Sequence, residues 1–336
     1  MFFLPTKQKP CIFVPHQSQT VKMAKILVND GIHPTGEKML KEAGHEVSTA
    51  NIPNEDLPSQ LNNYDAICVR SATKVRKDLI DQCPNLKVIA RGGVGLDNID
   101  VAYAREKGLE VYNTPAASSR SVAELAMAHM MNLSRGTHLS NRQMPSRGVS
   151  EFKVLKKSYA KGQELENKTL GIIGFGRIGR ELASIAFGTG MNVLPVDLQV
   201  ESADIPVGPK ANGMKVKMNV VSMDKMLSEA DFISLHVPST NRPILGAEEM
   251  AKMKEGVILI NTARGGSIDE DALLQSIDSG KVKAAGLDVF VGEPKPREDL
   301  VNHSAISVSP HIGASTGEAQ EKIGIELAEQ INAYFA

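Results

Sequence analysis

The chain has 336 residues, enough for two domains that each bury a hydrophobic core. Its formal net charge is −1 and no block of Lys or Arg stands out, so the expected partner is a small molecule, with no nucleic acid and no membrane. No apolar run is long enough to cross a bilayer, and Cys11, Cys68 and Cys83 lack the spacing of a zinc site or a disulfide framework, so the expectation is a soluble, reduced, cytoplasmic protein without a metal.

Residues 1–22 start apolar, but prolines and lysines break the run before a signal-peptide core can form; they read as a disordered extension, with a start at Met23 as the alternative. From residue 24, short apolar runs alternate with amphipathic stretches. Strands are expected over 25–29, 45–49, 65–70, 86–90 and 110–113, and helices over 34–43, 79–83 and 101–107, the last closed by Gly108. Cys68, inside one apolar run, reads as a buried small hydrophobe. Such alternation implies right-handed βαβ crossovers and a parallel sheet.

A helix follows over 119–135, with Val122, Leu125, Ala126, His129, Met130 and Leu133 at helical spacing, and it is expected to carry the chain between domains. The polar stretch 136–166 reads as a connector or arm. A second βαβ series then offers six strands, over 169–173, 192–196, 232–237, 257–261, 284–289 and 306–309. The stretch 198–221, with Pro206, Gly208, Pro209 and Gly213, reads as a surface excursion. The last helix, 316–334, lies beyond the second sheet and is expected to return to the first. The fold class is therefore α/β with two Rossmann-like parallel-sheet domains. A discontinuous, flavodoxin-like substrate domain (23–118 and 311–336) carries an inserted dinucleotide-binding Rossmann domain (119–310).

Gly174-Phe175-Gly176-Arg177-Ile178-Gly179 opens a helix directly after an apolar strand, the setting a dinucleotide phosphate site requires. Gly174 permits the tight turn, Gly176 lets the backbone approach a pyrophosphate, and Gly179 allows helix and strand to pack closely. Asp197 ends the next strand 18 residues after Gly179. Its carboxylate would accept from ribose hydroxyls and repel a 2'-phosphate, favouring NAD over NADP.

Downstream lie Asn261-Thr262-Ala263-Arg264-Gly265-Gly266, Gly292-Glu293-Pro294 and Ser309-Pro310-His311-Ile312-Gly313-Ala314. Alone, Glu293 reads as solvated surface, His311 as one of eight histidines and Arg264 as a turn arginine. Beside a nicotinamide site they combine into hydride-transfer chemistry. Arg264 would grip a substrate carboxylate through paired hydrogen bonds, His311 would exchange the hydroxyl proton, and Glu293 would hold its ring. In the first series, Arg91-Gly92-Gly93-Val94-Gly95 follows a strand, and its glycine N–H groups read either as an anion nest or as a bare turn. Arg70 ends a neighbouring strand. Two arginines there point to a substrate with more than one negative charge.

The motifs VRSATKV, RGGVGLDNID, NTP, GIIGFGRIGRELA, NTARGGSIDEDAL, GLDVFVGEP and SPHIGASTGEAQ resemble the D-2-hydroxyacid dehydrogenase family, most of all its phosphoglycerate dehydrogenase branch, from about residue 24 onward. The resemblance implies Arg264, Glu293 and His311 as the catalytic set. It also implies cofactor contacts at Val94, Arg177, Ile178, Asp197, His236, Pro238, Thr262, Ala263, Asp288 and Gly313, and substrate contacts at Arg70, Arg91, Gly92, Gly93 and Arg264. Gly92 stands where alanine is frequent, and the stretch after Asp197 is long for the family. A homodimer through residues 119–165 is implied, with Arg135 and Arg142 able to reach a neighbour's site. Because the chain ends at Ala336, no ACT-type regulatory domain, and no serine feedback through one, is expected.

The expected function is NAD-dependent oxidation of 3-phospho-D-glycerate to 3-phosphooxypyruvate, the entry to serine biosynthesis. The alternatives are reduction of hydroxypyruvate, glyoxylate or another D-2-hydroxy acid's oxo form, and an NAD(H)-sensing corepressor-like scaffold that turns over no hydroxy acid.

Overall fold

Parallel strands buried on both faces read as near-continuous apolar runs, and two sets of such runs build two sheets here. The computed structural model describes residues 22–208 and 213–336; apart from residue 22, the extension expected at 1–22 lies outside the described residues. The first sheet contains β1 (Lys25–Val28), β2 (Glu46–Ser48), β3 (Ala66–Val69), β4 (Val88–Arg91) and β5 (Glu110–Asn113). All its pairings are parallel, in the order β2-β1-β3-β4-β5, the flavodoxin-like arrangement. Side chains alternate between its faces: Leu27, Ile67 and Ile89 enter one core cluster, Ile26, Cys68 and Ala90 the other.

The last helix, Gly317–Phe335, returns to this sheet as expected. Thr316 caps it by accepting from Ala319 N at 3.2 Å. Its stripe of Ile323, Leu327 and Ile331, spaced four apart, is buried with Ile26, Val28 and Ala90. The helix crosses Pro34–Glu42 at a pair of glycines, Gly36 and Gly324, so close that a Cβ at Gly36 would overlap the Gly324 carbonyl.

The second sheet uses β6 (Thr169–Ile173) and β7 (Asn192–Val196). A hairpin of β8 (Ser202–Pro206) and β9 (Lys215–Asn219) intervenes before β10 (Phe232–Leu235), β11 (Val257–Asn261), β12 (Val282–Leu287) and β13 (Ile306–Val308). The six sheet strands run in the order β13-β12-β11-β10-β6-β7, all parallel. The helix Ser119–Arg135 has the bounds its periodicity predicts. It packs Ala123, Ala126, Met127 and Met130 under this sheet, against Ile258 and Ile260.

Two stretches carry secondary structure that the sequence reading did not specify. The polar stretch 136–166 is largely helical, over Thr137–Arg147 and Phe152–Ser158; the first of these buries none of its residues, so no apolar stripe announced it. The stretch 198–221 does form a surface excursion, and it is an ordered one: β8 and β9 pair antiparallel, and Ile205 anchors them, fully buried against the second core with Ala203 and Met218 beside it. Prolines and glycines at its bend masked the alternation. Residues 209–212, between β8 and β9 in sequence, lie outside the described residues.

Gly36→Ala is expected to destabilise the protein by roughly 1–3 kcal/mol, because the obstacle is backbone and cannot swing away. Urea unfolding would read this, and an unchanged or raised midpoint would mean that the two helices separate freely.

Candidate active site

In open parallel sheets, ligands bind beyond the carboxyl ends of the strands where strand order reverses. The first sheet reverses between β1 and β3, beside Arg70; the second reverses between β6 and β10, beside Gly174 and His236. The two crevices share one cleft of about 1290 Å³. Arg70, Arg91, Gly92, Gly93, Val94, Gly176, Arg177, Ile178, His236, Pro238, Thr262, Ala263, Arg264, Asp288, Glu293, His311 and Gly313 all line it. Gly174, Gly179 and Asp197 do not; they pack and brace the fingerprint turn behind it. Arg135 and Arg142 are exposed and also lie outside it.

The glycine fingerprint behaves as its spacing predicts. Gly174 has φ +93°, and a Cβ on Gly179 would overlap the Gly174 carbonyl, so both are packing requirements. A Cβ on Gly176 would meet nothing within 4 Å, leaving open space at the N-terminus of the helix Arg177–Gly188. Asp197 accepts from Phe175 N at 2.7 Å and from Gln199 N at 2.8 Å. It therefore braces the fingerprint turn as well as ending β7. Deeper in, two buried polar atoms have no partner: His236 Nδ1 and Thr262 Oγ1. Burial pushes His236 down to about 3, so its ring is neutral. Orphaned donors and acceptors, an open glycine and a helix N-terminus together fit a dinucleotide, and these residues would hold NAD.

The three residues expected to be catalytic, Arg264, Glu293 and His311, converge on the cleft. His311 Nδ1 lies 2.7 Å from Glu293 Oε2, while Glu293 Oε1 accepts from Phe290 N at 2.9 Å. The carboxylate is thus fixed at both oxygens, and the imidazole keeps Nε2 for a substrate proton. His311 is one of two non-glycine residues with positive φ among the described residues, at +56°. That left-handed conformation costs on the order of 1–3 kcal/mol and persists only where its surroundings impose it. Asp288, almost wholly buried, supplies part of that imposition by accepting from Ile312 N and Gly313 N, each at 2.9 Å.

Arg264 is less free than its sequence reading implies. Its Nε donates to Asp97 Oδ2 at 2.9 Å and its Nη1 to the Ala263 carbonyl at 2.7 Å, leaving Nη2 as the open end. Asp97 belongs to the loop after β4, so this ion pair bridges the two sheets' loops across the cleft. The anion-nest reading of Gly92 and Gly93 needs correction. Gly92 N donates to the Val69 carbonyl and Gly93 N to Thr114 Oγ1, both within the protein. These glycines provide room instead: a Cβ at Gly93 would collide with the Arg91 guanidinium, and one at Gly95 with that of Arg264. Arg91 is deeply set, with Nε unpartnered, and burial followed by the neighbouring Arg264 charge pushes it down to about 10, still protonated at neutral pH. Asp97, Thr114 and Ser309 were not singled out in the sequence. All three lie inside sequence motifs, Asp97 in the glycine loop, Thr114 in NTP and Ser309 beside His311, but the motifs do not show what they bond.

This is the site of a nicotinamide-dependent oxidoreductase, with a dinucleotide floor, an imidazole–carboxylate pair and convergent arginines. Residues 127–313 match the model of the D-isomer specific 2-hydroxyacid dehydrogenase NAD-binding domain. The hydroxypyruvate reductase of Thermotoga maritima is 45% identical over 313 residues, covering 91% of this chain and 97% of that one. The D-3-phosphoglycerate dehydrogenase of Methanocaldococcus jannaschii is 43% identical over 313 residues, 92% of this chain but 57% of the relative's length. Among solved structures, the NAD⁺-bound 3-phosphoglycerate dehydrogenase of Entamoeba histolytica superposes with TM-score 0.74 at 28% identity, over 93% of this chain and 95% of that one. The chain belongs to the D-2-hydroxyacid dehydrogenase family and is an NAD-dependent enzyme. Among the described residues no helix is long and apolar enough to cross a membrane.

His311→Ala is expected to lower kcat by roughly 10²- to 10⁴-fold while NADH binding, followed by fluorescence titration, stays close to wild type. Full activity in the variant would remove His311 from the proton transfer.

Proposed function

We propose that the enzyme oxidises 3-phospho-D-glycerate to 3-phosphooxypyruvate, the first step of L-serine biosynthesis. The observation that carries this reading is the charge of the cleft: Arg70, Arg91 and Arg264 line it together, and Asp97 is the carboxylate that pairs with one of them. A singly charged 2-hydroxy acid would leave that excess of cation unmatched, whereas a carboxylate plus a phosphate matches it.

In this reading Arg264 receives the substrate carboxylate and C2 oxygen on its open end, held in aim by Asp97. Arg70 and Arg91 receive the phosphate. His311 Nε2 takes the C2 hydroxyl proton, and Glu293 stabilises the imidazolium that results. NAD, when bound, supplies the acceptor for the C2 hydrogen and its electron pair. Residues 23–118 and 311–336 make the substrate half and 119–310 the nucleotide half. The helices after residue 136 leave Met144, Phe152 and Val154 exposed, which supports a homodimer through 119–165.

A second reading has one specific observation in its favour: the T. maritima relative, matched over nearly its full length, is a hydroxypyruvate reductase. Following NADH absorbance with NAD and 3-phospho-D-glycerate at alkaline pH, beside hydroxypyruvate with NADH, separates the two. Turnover of phosphoglycerate is expected. Arg70→Ala should raise its KM by about 10- to 100-fold, the worth of a charged hydrogen bond, with little change for hydroxypyruvate. Reduction of hydroxypyruvate without phosphoglycerate turnover would shift the substrate to the second reading.

A further inference from the structure

The turn that carries His311 is braced from behind by a row of buried polar side chains. His129, on the helix Ser119–Arg135, is 4% exposed and packs against Gly286 of β12, where a Cβ would come within 2.7 Å of the His129 Cβ. Its Nδ1 lies 3.0 Å from Ser307 Oγ and its Nε2 3.0 Å from Ser309 Oγ. Ser309 Oγ lies in turn 2.6 Å from Asp288 Oδ1, the carboxylate that holds the Ile312 and Gly313 amides.

The end of the row sets the direction of every bond in it. An ionised carboxylate only accepts, so the Ser309 hydroxyl donates to Asp288. The Ser309 oxygen then accepts from His129, which places the ring proton on Nε2. The bare Nδ1 accepts from the Ser307 hydroxyl. Burial lowers the His129 pKa against the opposing pull of Asp288, in keeping with a neutral ring.

Apolar side chains at 129 and 307 would fill this space without desolvating three polar groups. What the polar row adds is aim. It locks the Ser309 hydroxyl as a donor and so fixes the carboxylate that holds His311 in its left-handed conformation. We propose that His129, as the Nε2–H tautomer, is a positioning residue for the acid/base His311, acting through Ser309 and Asp288. The proposal rests on His311 as acid/base and is independent of which hydroxy acid is the substrate.

The test compares full-length wild type with His311→Ala, His129→Leu, His129→Gln, Ser309→Ala and the Leu/Ala double variant, using NAD(H) and the hydroxy or oxo acid the wild type turns over. His129→Leu and Ser309→Ala should each lower kcat about 10- to 100-fold, the scale of a misplaced catalytic group. The KM of the oxo acid should stay within about threefold. Glutamine, whose amide N–H can stand in for Nε2–H, should recover most of kcat, and the double variant should be no worse than Ser309→Ala because both act along one row. Wild-type kcat in His129→Leu and Ser309→Ala, multiplicative losses in the double variant, or a glutamine variant as impaired as leucine would overturn the proposal. Activity retained in His311→Ala would instead sink the active-site reading beneath it. Nitrogen-15 NMR of histidine-labelled wild type, assigned against His129→Gln, needs no impaired variant to fold: a protonated Nε2 on His129 is expected, and a protonated Nδ1 would overturn the row's direction.

Discussion

The chain must leave its first sheet, build a second and come back, and what compels the return is burial of the stripe Ile323, Leu327, Ile331 on β1, β3 and β4. Removing side chains of that size from water stabilises by about 1.5–3 kcal/mol each. The helix fits only because Gly36 and Gly324 let two backbones touch. Both crossings between sheets therefore pass beside the carboxyl ends of the strands. His311 lies on the second crossing, directly after β13, and the helix Ser119–Arg135 makes the first. The cleft, the placement of the acid/base and the brace behind it all follow from that return.

Electrostatics then sorts the cleft into two regions. Beside the glycine fingerprint His236 is neutral, Asp197 and Asp288 are held by backbone N–H donors, and Arg177 adds a cation to the cleft wall. On the substrate side cations gather, with Arg91 depressed by burial and by Arg264. Like charges brought together in a partly dry cleft repel, and an anion relieves that repulsion most effectively where two of its charged ends meet two guanidinium groups. The Asp97–Arg264 pair bridges the loops and keeps Nη2 as the open end of the guanidinium.

Elements whose burial follows a period were legible from the chain alone. The helix 119–135 and the strands at 110–113, 169–173, 192–196 and 257–261 match their expected bounds, the helix through its apolar stripe and the strands as short apolar runs. The helix Thr137–Arg147 was not legible, since it buries nothing, and the β8–β9 hairpin was not, since prolines and glycines interrupt its alternation. The candidate site was legible because local sequence marks it: glycine turns, a strand-to-helix phosphate fingerprint, a His between Pro310 and Ile312-Gly313. Asp97, Thr114 and Ser309 lie within the motifs, but their partners are distant in sequence, and local pattern does not name those partners.

The sequence by itself determined the fold class, the glycine fingerprint and which groups are candidates for the chemistry, since these depend on residue type and short-range spacing. Tertiary structure decided what those groups are free to do. Gly92 and Gly93 spend their amides on Val69 and Thr114, and the missing side chains at Gly93 and Gly95 leave room for the Arg91 and Arg264 guanidinium groups. Asp97 takes one edge of Arg264. His129, spaced like a core residue, becomes the far end of a hydrogen-bond row only when the helix packs against β12 and brings residues 307 and 309 within 3.0 Å of its ring. Hydrogen bonds between side chains depend on distances of a few tenths of an ångström, and such distances exist only once the two sheets and their helices have packed.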